Sequence, residues 1–196
     1  MKLSAVILAG GQSLRMGRDK AWLEVEGQLL LGRAVNAVRS LGVEEIFISG
    51  RAGADYSASK LPVLIDLEAG CGPLGGVERG LDAASSPLLL VLAVDLPRMT
   101  ANFLQKLIAR CDVQSGVVPE LAGELEPLAA IYPKRCHAVA MEYLAEGRRA
   151  ARGFALACLR NNAVRIFPVT DSDAAVFTNW NTPADLHPPN APSPDP

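Results

Sequence analysis

The chain is short of three features that would each define a class of protein. Its four cysteines (Cys71, Cys111, Cys136 and Cys158) are widely spaced and form no Cys-x-x-Cys pair, which argues against a zinc site or a disulfide framework. No apolar run can span a membrane, and the apolar start over residues 1–10 is too short for a secretion signal. The formal net charge is only −2, whereas binding to nucleic acid or an anionic membrane needs a basic surface. These absences predict a protein of the reducing cytoplasm without nucleic-acid or membrane partners.

What is present fits one globular domain. The chain has 196 residues, of which 49% are hydrophobic, and this is ample material for a core. No internal linker divides it, so we expect a single domain over residues 1–186. Residues 187–196 are rich in proline and are expected to form a flexible tail.

Short apolar runs alternate with stretches of helical periodicity along the chain. The periodicity predicts helices over residues 30–41, 75–84 and 101–110. The continuously apolar run 88–94 predicts a central strand covered on both faces. This alternation predicts a three-layer α/β fold with a mainly parallel sheet, whose ligands bind at the carboxyl ends of the strands. The candidate strands cover residues 5–9, 45–49, 62–65, 88–93, 116–119, 128–132 and 164–169.

The segment after the first strand, residues 8–20, reads LAGGQSLRMGRDK. Gly10 and Gly11 allow the backbone to approach an anion closely, and Arg15 and Lys20 add fixed positive charge. The spacing is neither G-x-G-x-x-G nor G-x-x-x-x-G-K-[ST], so it excludes the dinucleotide-binding and P-loop motifs. An ordinary strand-to-helix turn is the alternative, but such a turn seldom gathers cations and glycines in so short a span. The segment therefore predicts a polyphosphate site.

Asp95 ends the most buried candidate strand, where an uncompensated carboxylate would be costly. A magnesium ion held by this carboxylate and by substrate phosphates would compensate the charge. The alternative is that Asp95 caps the helix starting near Thr100, although Thr100 is itself well placed as that cap.

A third candidate element consists of Asp66 and the loop Gly72-Pro73-Leu74-Gly75-Gly76. Pro73 fixes its own φ angle and the two last glycines open a helix, so the loop presents backbone groups with little side-chain bulk. Asp66 could accept hydrogen bonds from the edge of a guanine. From the residues alone, a solvated turn carboxylate is an equally good interpretation.

The loop at residues 8–20 resembles the signature loop of the nucleotidyltransferases related to molybdenum cofactor guanylyltransferase. Related cytidylyl and sugar-phosphate transferases tend to carry alanine at the position of Gly11, so this glycine favours the guanylyl branch. Glu126-Pro127 resembles the segment where the family's sheet meets its second substrate, although an Xaa-Pro pair before a strand is also common. The motif around Asn179 and Asn181 resembles the family's N-x-N-T-P segment. The resemblance covers residues 3–186.

The resemblance implies a three-layer, Rossmann-like nucleotidyltransferase fold and transfer of GMP from GTP to the phosphate of molybdopterin, with release of pyrophosphate. It implies that Asp95 binds Mg²⁺ and the nucleotide phosphates, and that Asp66 and the backbone of residues 8–10 define the guanine site. Glu126, Pro127, Asn179 and Asn181 would then bind the molybdopterin substrate. The expected nucleotide-binding residues are Leu8, Ala9, Gly10, Gly11, Lys20, Asp66, Gly72, Pro73, Leu74 and Asp95.

The reaction joins two anions, so charge repulsion is the main obstacle to it. Arg15, Lys20 and Mg²⁺ at Asp95 would offset this repulsion, and we expect electrostatic catalysis without a covalent nucleophile. A related transferase that uses CTP on molybdopterin, or on a sugar or alcohol phosphate, is one alternative. A non-catalytic nucleotide-binding cofactor chaperone is another, but the presence of Arg15, Lys20 and Asp95 together argues against it. Protein partners in cofactor delivery are compatible with either function.

The chain departs from the family pattern after its second predicted strand. The family often has an asparagine near the nucleobase there, whereas this chain has Ser49-Gly50-Arg51. Gly50 has no side chain, so we expect the backbone or Ser49 to make that contact.

Overall fold

A mixed sheet of eight strands forms the middle layer of the computed structural model, which describes residues 2–10, 20–65 and 70–178. The sheet runs in the order β10-β7-β9-β6-β1-β4-β5, with β8 paired to β7, and β2 and β3 form a separate hairpin. In chain order, the strands and helices are β1 (Leu3–Leu8), β2 (Glu24–Val25), β3 (Gln28–Leu29), α1 (Leu30–Arg39), β4 (Glu45–Gly50), β5 (Val63–Ile65), α2 (Gly72–Ala83), β6 (Leu88–Ala93), α3 (Ala101–Ile108), β7 (Gly116–Leu121), β8 (Glu124–Leu125), β9 (Ala129–Pro133), α4 (Cys136–Ala145), α5 (Ala151–Arg160) and β10 (Val164–Pro168). Short 3₁₀ helices cover Lys20–Trp22, Ser57–Ser59 and Ala174–Phe177.

The predicted α/β fold with a mainly parallel sheet is confirmed. β1 pairs in parallel with β4 and β6, β4 with β5, and β10 with β7. β9 runs antiparallel to both β6 and β7. All seven predicted strands are present, and their ends differ from the prediction by at most two residues.

Alternate residues of the central strands belong to two separate hydrophobic cores, one on each face of the sheet. The helices that cover these two cores form the outer layers of the three-layer fold. Ala5 and Ile7 of β1 pack on the face covered by α1 and α3. Val6 and Leu8 pack on the opposite face, under α2, α4 and α5. Every residue of β6 is buried, as expected of a strand covered on both faces.

Two helices, α4 and α5, were not predicted. In α4 the buried residues are Cys136, Ala140 and Tyr143, while the exposed face carries the apolar Met141. Apolar residues on both faces obscure the helical period that would otherwise identify such a segment. Helix α2 also begins three residues before its predicted start, since Gly72 enters it with φ +64° and Pro73 fits its first turn.

The four cysteines form no disulfide in the structure, and Cys71, Cys136 and Cys158 are buried. Burial raises the pKa of Cys111 to about 12. A hydrogen bond with Cys136, together with burial, raises the pKa of Cys158 well above its ordinary value. These two thiols therefore stay protonated at neutral pH, which makes them poor nucleophiles and poor metal ligands.

A polar network joins three strand starts at the amino-terminal edge of the sheet. Ser4, fully buried in β1, donates a hydrogen bond to the Glu45 carboxylate of β4. The backbone N–H of Ser85 donates to the same oxygen at 2.9 Å, and that of Ser86 donates to Ser4 Oγ at 3.2 Å. Burial raises the pKa of Glu45, but these hydrogen bonds outweigh it, so the pKa lies below its ordinary value.

We expect Glu45→Gln to lower the free energy of unfolding by about 1 kcal/mol at neutral pH, because a neutral amide accepts these hydrogen bonds less strongly. A depressed pKa contributes stability above the ordinary glutamate pKa and loses it as the pH falls through the folded value. The difference from wild type should therefore shrink on acidification. Urea denaturation across this range measures it, with the exposed neighbour Glu44→Gln as control. An equal loss in both variants would contradict the role of the network.

Candidate active site

The carboxyl ends of three parallel strands lie side by side at one edge of the sheet. The backbone N–H of Ala9 donates to the carbonyl of Ser49 at 2.8 Å, which ties the end of β1 to β4. The N–H of Val94 donates to the carbonyl of Leu8 at 3.1 Å, which ties β1 to the end of β6. The start of the signature loop and Asp95 are thereby brought together, as predicted from their positions after strands.

Gly10 lies against the backbone at the carboxyl end of β4. A Cβ at this position would lie 3.3 Å from the carbonyl carbon of Gly50 and 3.5 Å from the backbone nitrogen of Arg51. The first of these distances is tighter than an ordinary van der Waals contact, so a larger residue would push the loop away from β4. The glycine is needed for close approach of two backbones.

The position of Gly50 leaves no room for a side chain. A Cβ there would overlap the ring of Tyr56, with Cδ2 at 2.9 Å, and this tyrosine is only 2% exposed. Ser49 is buried, and its side chain packs against helix α2 at Gly76. Any contact that Gly50 makes with a ligand is therefore made by its backbone, in line with the expectation from sequence.

Helix α2 presents its amino-terminal end at the same edge. Gly76 permits this position, because a Cβ there would lie 2.8 Å from Leu8 Cδ2 and 2.9 Å from Ser49 Cβ. Cys71, at the N-cap position, makes no capping hydrogen bond with its side chain, and the first turn carries no acidic residue. The helix end can therefore present N–H groups and partial positive charge to an anion.

The predicted residues of this loop differ in what they can offer a ligand. Gly72 and Pro73 are exposed at the helix end. Leu74 is fully buried and packs in the core between α2 and the sheet. A contact between Leu74 and a ligand is thus restricted to its backbone.

Asp95 follows β6 in a half-buried turn, and it is not the cap of α3. Thr100 has that role, since its Oγ1 accepts a hydrogen bond from the backbone N–H of Phe103 at 3.2 Å. The alternative interpretation of Asp95 as a helix cap is therefore excluded.

Glu126 lies close to Asp95. The backbone N–H of Ala93 donates to the carbonyl of Leu128 at 2.7 Å, so the segment before β9 lies beside the end of β6. Burial raises the pKa of Glu126, and the negative charge of Asp95 raises it further. Pro127 is held by its carbonyl, which accepts a hydrogen bond from the hydroxyl of Tyr132 at 2.9 Å.

The carboxylate pair Asp95–Glu126 suits a cation that takes part of its coordination from a ligand. Among residues 2–10, 20–65 and 70–178, no three histidine, cysteine or acidic side chains cluster as a complete metal site would require. Magnesium bound to one or two carboxylates and to substrate phosphates needs no such cluster. The donor set therefore fits a divalent ion that arrives with a polyphosphate.

Several predicted residues lie outside the described residues, and their roles stay predictions. They are Gly11 and Arg15 of the signature loop, Asp66 after β5, and Asn179 and Asn181 near the carboxyl terminus. The backbone of Lys20 opens a 3₁₀ helix, but its side chain also lies outside the described part.

Arg149 is a further cation at this edge, and it was not among the predicted site residues. A Cβ at Gly70 would lie 3.7 Å from Nη1 of Arg149, and one at Gly72 would lie 3.7 Å from the Arg149 carbonyl oxygen. Arg149 is exposed, and it has no hydrogen bond or ion pair within the described ranges. Its neighbour Arg148 pairs with Glu146. The arginine-rich run 148–152 was a visible signal, but its proximity to residues 70–72 arises only from the tertiary fold.

A cavity of about 450 Å³ lies elsewhere, between α3 and β10. Two of its lining cations are already neutralised, since Lys106 bonds both carboxylate oxygens of Asp173 at 2.7 and 2.8 Å and Arg165 pairs with Asp112. None of the predicted site residues lines it. The carboxyl edge therefore remains the candidate active site. No helix in the described part of the chain has the length and apolar character of a bilayer span.

The same fold occurs in solved structures of other proteins, one of which is a named cytidylyltransferase. The chain superposes on molybdopterin-guanine dinucleotide biosynthesis protein A from Archaeoglobus fulgidus with a TM-score of 0.71 and 24% identity, covering 95% of each chain. It also superposes on 2-C-methyl-D-erythritol 4-phosphate cytidylyltransferase from Thermus thermophilus, with a TM-score of 0.68 and 22% identity over 95% of this chain and 96% of the other. The fold is thus that of the Rossmann-like nucleotidyltransferases.

The family follows from sequence similarity. Residues 5–161 match the model of the MobA-like NTP transferase domain. The chain is 37% identical to the "probable molybdenum cofactor guanylyltransferase" of Opitutus terrae, over 93% of this chain and 92% of the relative. It is 34% identical to the protein of the same name from Trichormus variabilis, over 94% and 88%. The chain belongs to the MobA-like NTP transferase family, which confirms the resemblance of its signature loop.

We expect Gly76→Ala to weaken nucleoside triphosphate binding by about tenfold or more, the equivalent of one lost hydrogen bond, because the new methyl group displaces the end of α2 from Leu8 and Ser49. Gly80→Ala is the matched control, since its Cβ would meet Val6 at 2.8 Å and Leu89 at 3.0 Å, one turn further from the edge. The free energy of unfolding should fall in both variants by about 1–3 kcal/mol, the usual cost of overpacking a core. Calorimetric titration and thermal melts separate the two effects. Equal loss of binding in both would contradict a specific role of the helix end.

Proposed function

We propose that this protein transfers GMP from GTP to the terminal phosphate of molybdopterin, forming the guanine dinucleotide cofactor and releasing pyrophosphate. The proposal is carried by one observation. A chain that matches named molybdenum cofactor guanylyltransferases over more than nine-tenths of its length brings the start of the signature loop, the end of α2 and Asp95 to one edge of its sheet. Glu126, which the resemblance assigns to the second substrate, lies near Asp95 at that edge, so the second substrate would bind beside the first.

GTP would lie over the ends of β1, β4 and α2. Its base would contact the backbone of residues 8–10, with Asp66 as the predicted partner of the guanine edge. Its phosphates would face Gly11, Arg15 and Lys20 of the signature loop. The amino-terminal end of α2 and the exposed guanidinium of Arg149 add positive charge to this region.

Asp95 would hold a Mg²⁺ ion together with phosphate oxygens, and the neighbouring carboxylate of Glu126 would be its candidate second ligand. Bound there, the ion would neutralise negative charge on the phosphates. The raised pKa of Glu126 reflects its burial and then the repulsion between the two carboxylates, which such a cation would relieve.

Guanylyl transfer needs little acid–base chemistry. An oxygen of the molybdopterin phosphate forms a bond to the α-phosphorus of GTP, and the bond from this phosphorus to the β-phosphate oxygen breaks. Pyrophosphate leaves with that electron pair. The attacking oxygen is already anionic, so the residues of the chain orient the two substrates and offset their repulsion. Asn179 and Asn181 are the predicted partners of molybdopterin on its side of the site.

The nearest competing function is cytidylyl transfer, since a cytidylyltransferase shares the fold. A nucleotide-binding chaperone without catalysis is the other. Incubation of the purified protein with Mg²⁺, molybdopterin and each of GTP, CTP, ATP and UTP distinguishes all three. We expect pyrophosphate release and a dinucleotide product with GTP in preference to the other nucleotides. Preference for CTP, or binding without product, would contradict guanylyl transfer.

We expect Asp95→Asn to lower turnover by about a hundredfold or more, the scale of losing one electrostatic stabiliser in an active site. GTP binding should also lose most of its dependence on Mg²⁺, which titration with and without the ion would measure. Asp112→Asn is the control, because this exposed aspartate pairs with Arg165 at the amino-terminal edge. Normal turnover in Asp95→Asn, with a wild-type melting curve, would contradict the assignment.

A further inference from the structure

Both ends of the signature loop contact the end of β4 or the chain segment that follows it. At the first end, Ala9 is hydrogen-bonded to the Ser49 carbonyl and Gly10 lies against the backbone of Gly50 and Arg51. These contacts with the end of β4 fix the direction of the chain at residue 10.

At the other end of the loop, the 3₁₀ helix Lys20–Trp22 is held by an aromatic contact. The ring of Trp22 stacks on that of Tyr56, with 6.0 Å between the ring centroids and an interplanar angle of 29°. Between Lys20 and Trp22, Ala21 is fully buried. The chain beyond is also anchored, since the carbonyl of Leu23 accepts a hydrogen bond from the N–H of Leu30 at 2.9 Å, at the start of α1.

Tyr56 connects the two ends. Its ring occupies the space that a side chain at position 50 would take, and the tyrosine is 2% exposed. The tyrosine ring therefore contacts Gly50, against which Gly10 lies. It also contacts Trp22, which is two residues after Lys20. The absence of a side chain at position 50 is what admits the tyrosine ring.

We infer that Trp22 and Tyr56 form an aromatic clamp that positions Lys20, the predicted phosphate-binding cation, and so sets the affinity of the protein for its nucleotide. The inference rests on the proposed function for the identity of the nucleotide. With the backbone of residues 20–22 held in this way, less conformational freedom remains to be lost when the Lys20 side chain binds a phosphate. Trp22 and Tyr56 are thus positioning residues rather than catalytic ones.

The competing explanation is that the clamp only contributes to the core, where Tyr56 belongs and against which Trp22 packs. The two explanations differ in their consequences. Core packing predicts a lower melting temperature with unchanged nucleotide affinity, whereas a positioning role predicts weaker affinity beyond any loss of stability.

The decisive variants are Trp22→Leu, which removes the ring, and Trp22→Phe, which keeps one. Phe167→Leu is the matched control, because Phe167 is also a half-buried aromatic residue, in edge-to-face contact with Phe103 at 5.8 Å, on the far edge strand. We expect Trp22→Leu to raise the Kd for Mg²⁺–GTP by about three- to tenfold, the equivalent of one aromatic pair. Trp22→Phe should recover most of the affinity, and Phe167→Leu should lower only the melting temperature.

A second readout needs no nucleotide. Arg15, Arg18 and Lys20 are trypsin sites within the loop. Cleavage after Lys20, which precedes the fully buried Ala21, should be faster in Trp22→Leu than in wild type or Phe167→Leu, since loss of the ring contact releases the 3₁₀ helix. Wild-type affinity and wild-type cleavage in Trp22→Leu would overturn the clamp. A wild-type protein that binds no GTP would instead overturn the proposed function, while faster cleavage in Trp22→Leu would still support the restraint.

Discussion

The site depends on how closely helix α2 approaches the ends of β1 and β4. Gly76 and Gly80 face the sheet, and a methyl group at either would overlap Leu8, Ser49, Val6 or Leu89. Small residues at such a contact let a helix lie nearer to a sheet than ordinary side chains permit. This distance places the amino-terminal end of α2 beside the start of the signature loop, so that backbone groups from two parts of the chain lie at the same edge of the sheet.

The antiparallel strand β9 provides the second half of the site. It is inserted between β6 and β7, and the segment that leads into it carries Glu126 to the end of β6. A wholly parallel sheet would put the start of that strand at the opposite edge, far from Asp95. The reversed strand therefore brings a second carboxylate near Asp95 without lengthening any loop.

Much of this arrangement could be predicted from sequence, because the local signals and the fold agree. The apolar run of β6, the cap at Thr100 and the glycines after β1 each identify their element without knowledge of contacts. The positions of Arg149 and Tyr56 could not be predicted in this way. Each is identified only by its contact with a residue that is distant in sequence. Arg149 lies near Gly70, and Tyr56 stacks on Trp22. Helix α4 was missed because its exposed Met141 weakens the amphipathic period.

The contact between Gly50 and Tyr56 has an evolutionary consequence. Position 50 borders the predicted base site, so it is an obvious place for a substitution that would change nucleotide preference. Any side chain there would meet the tyrosine ring before it reached a ligand. A change of specificity through this position would therefore require a smaller residue at 56 first, and that replacement alone would leave a cavity next to Trp22. The two positions are therefore sterically coupled, and a side chain at position 50 fits only after the residue at position 56 has become smaller.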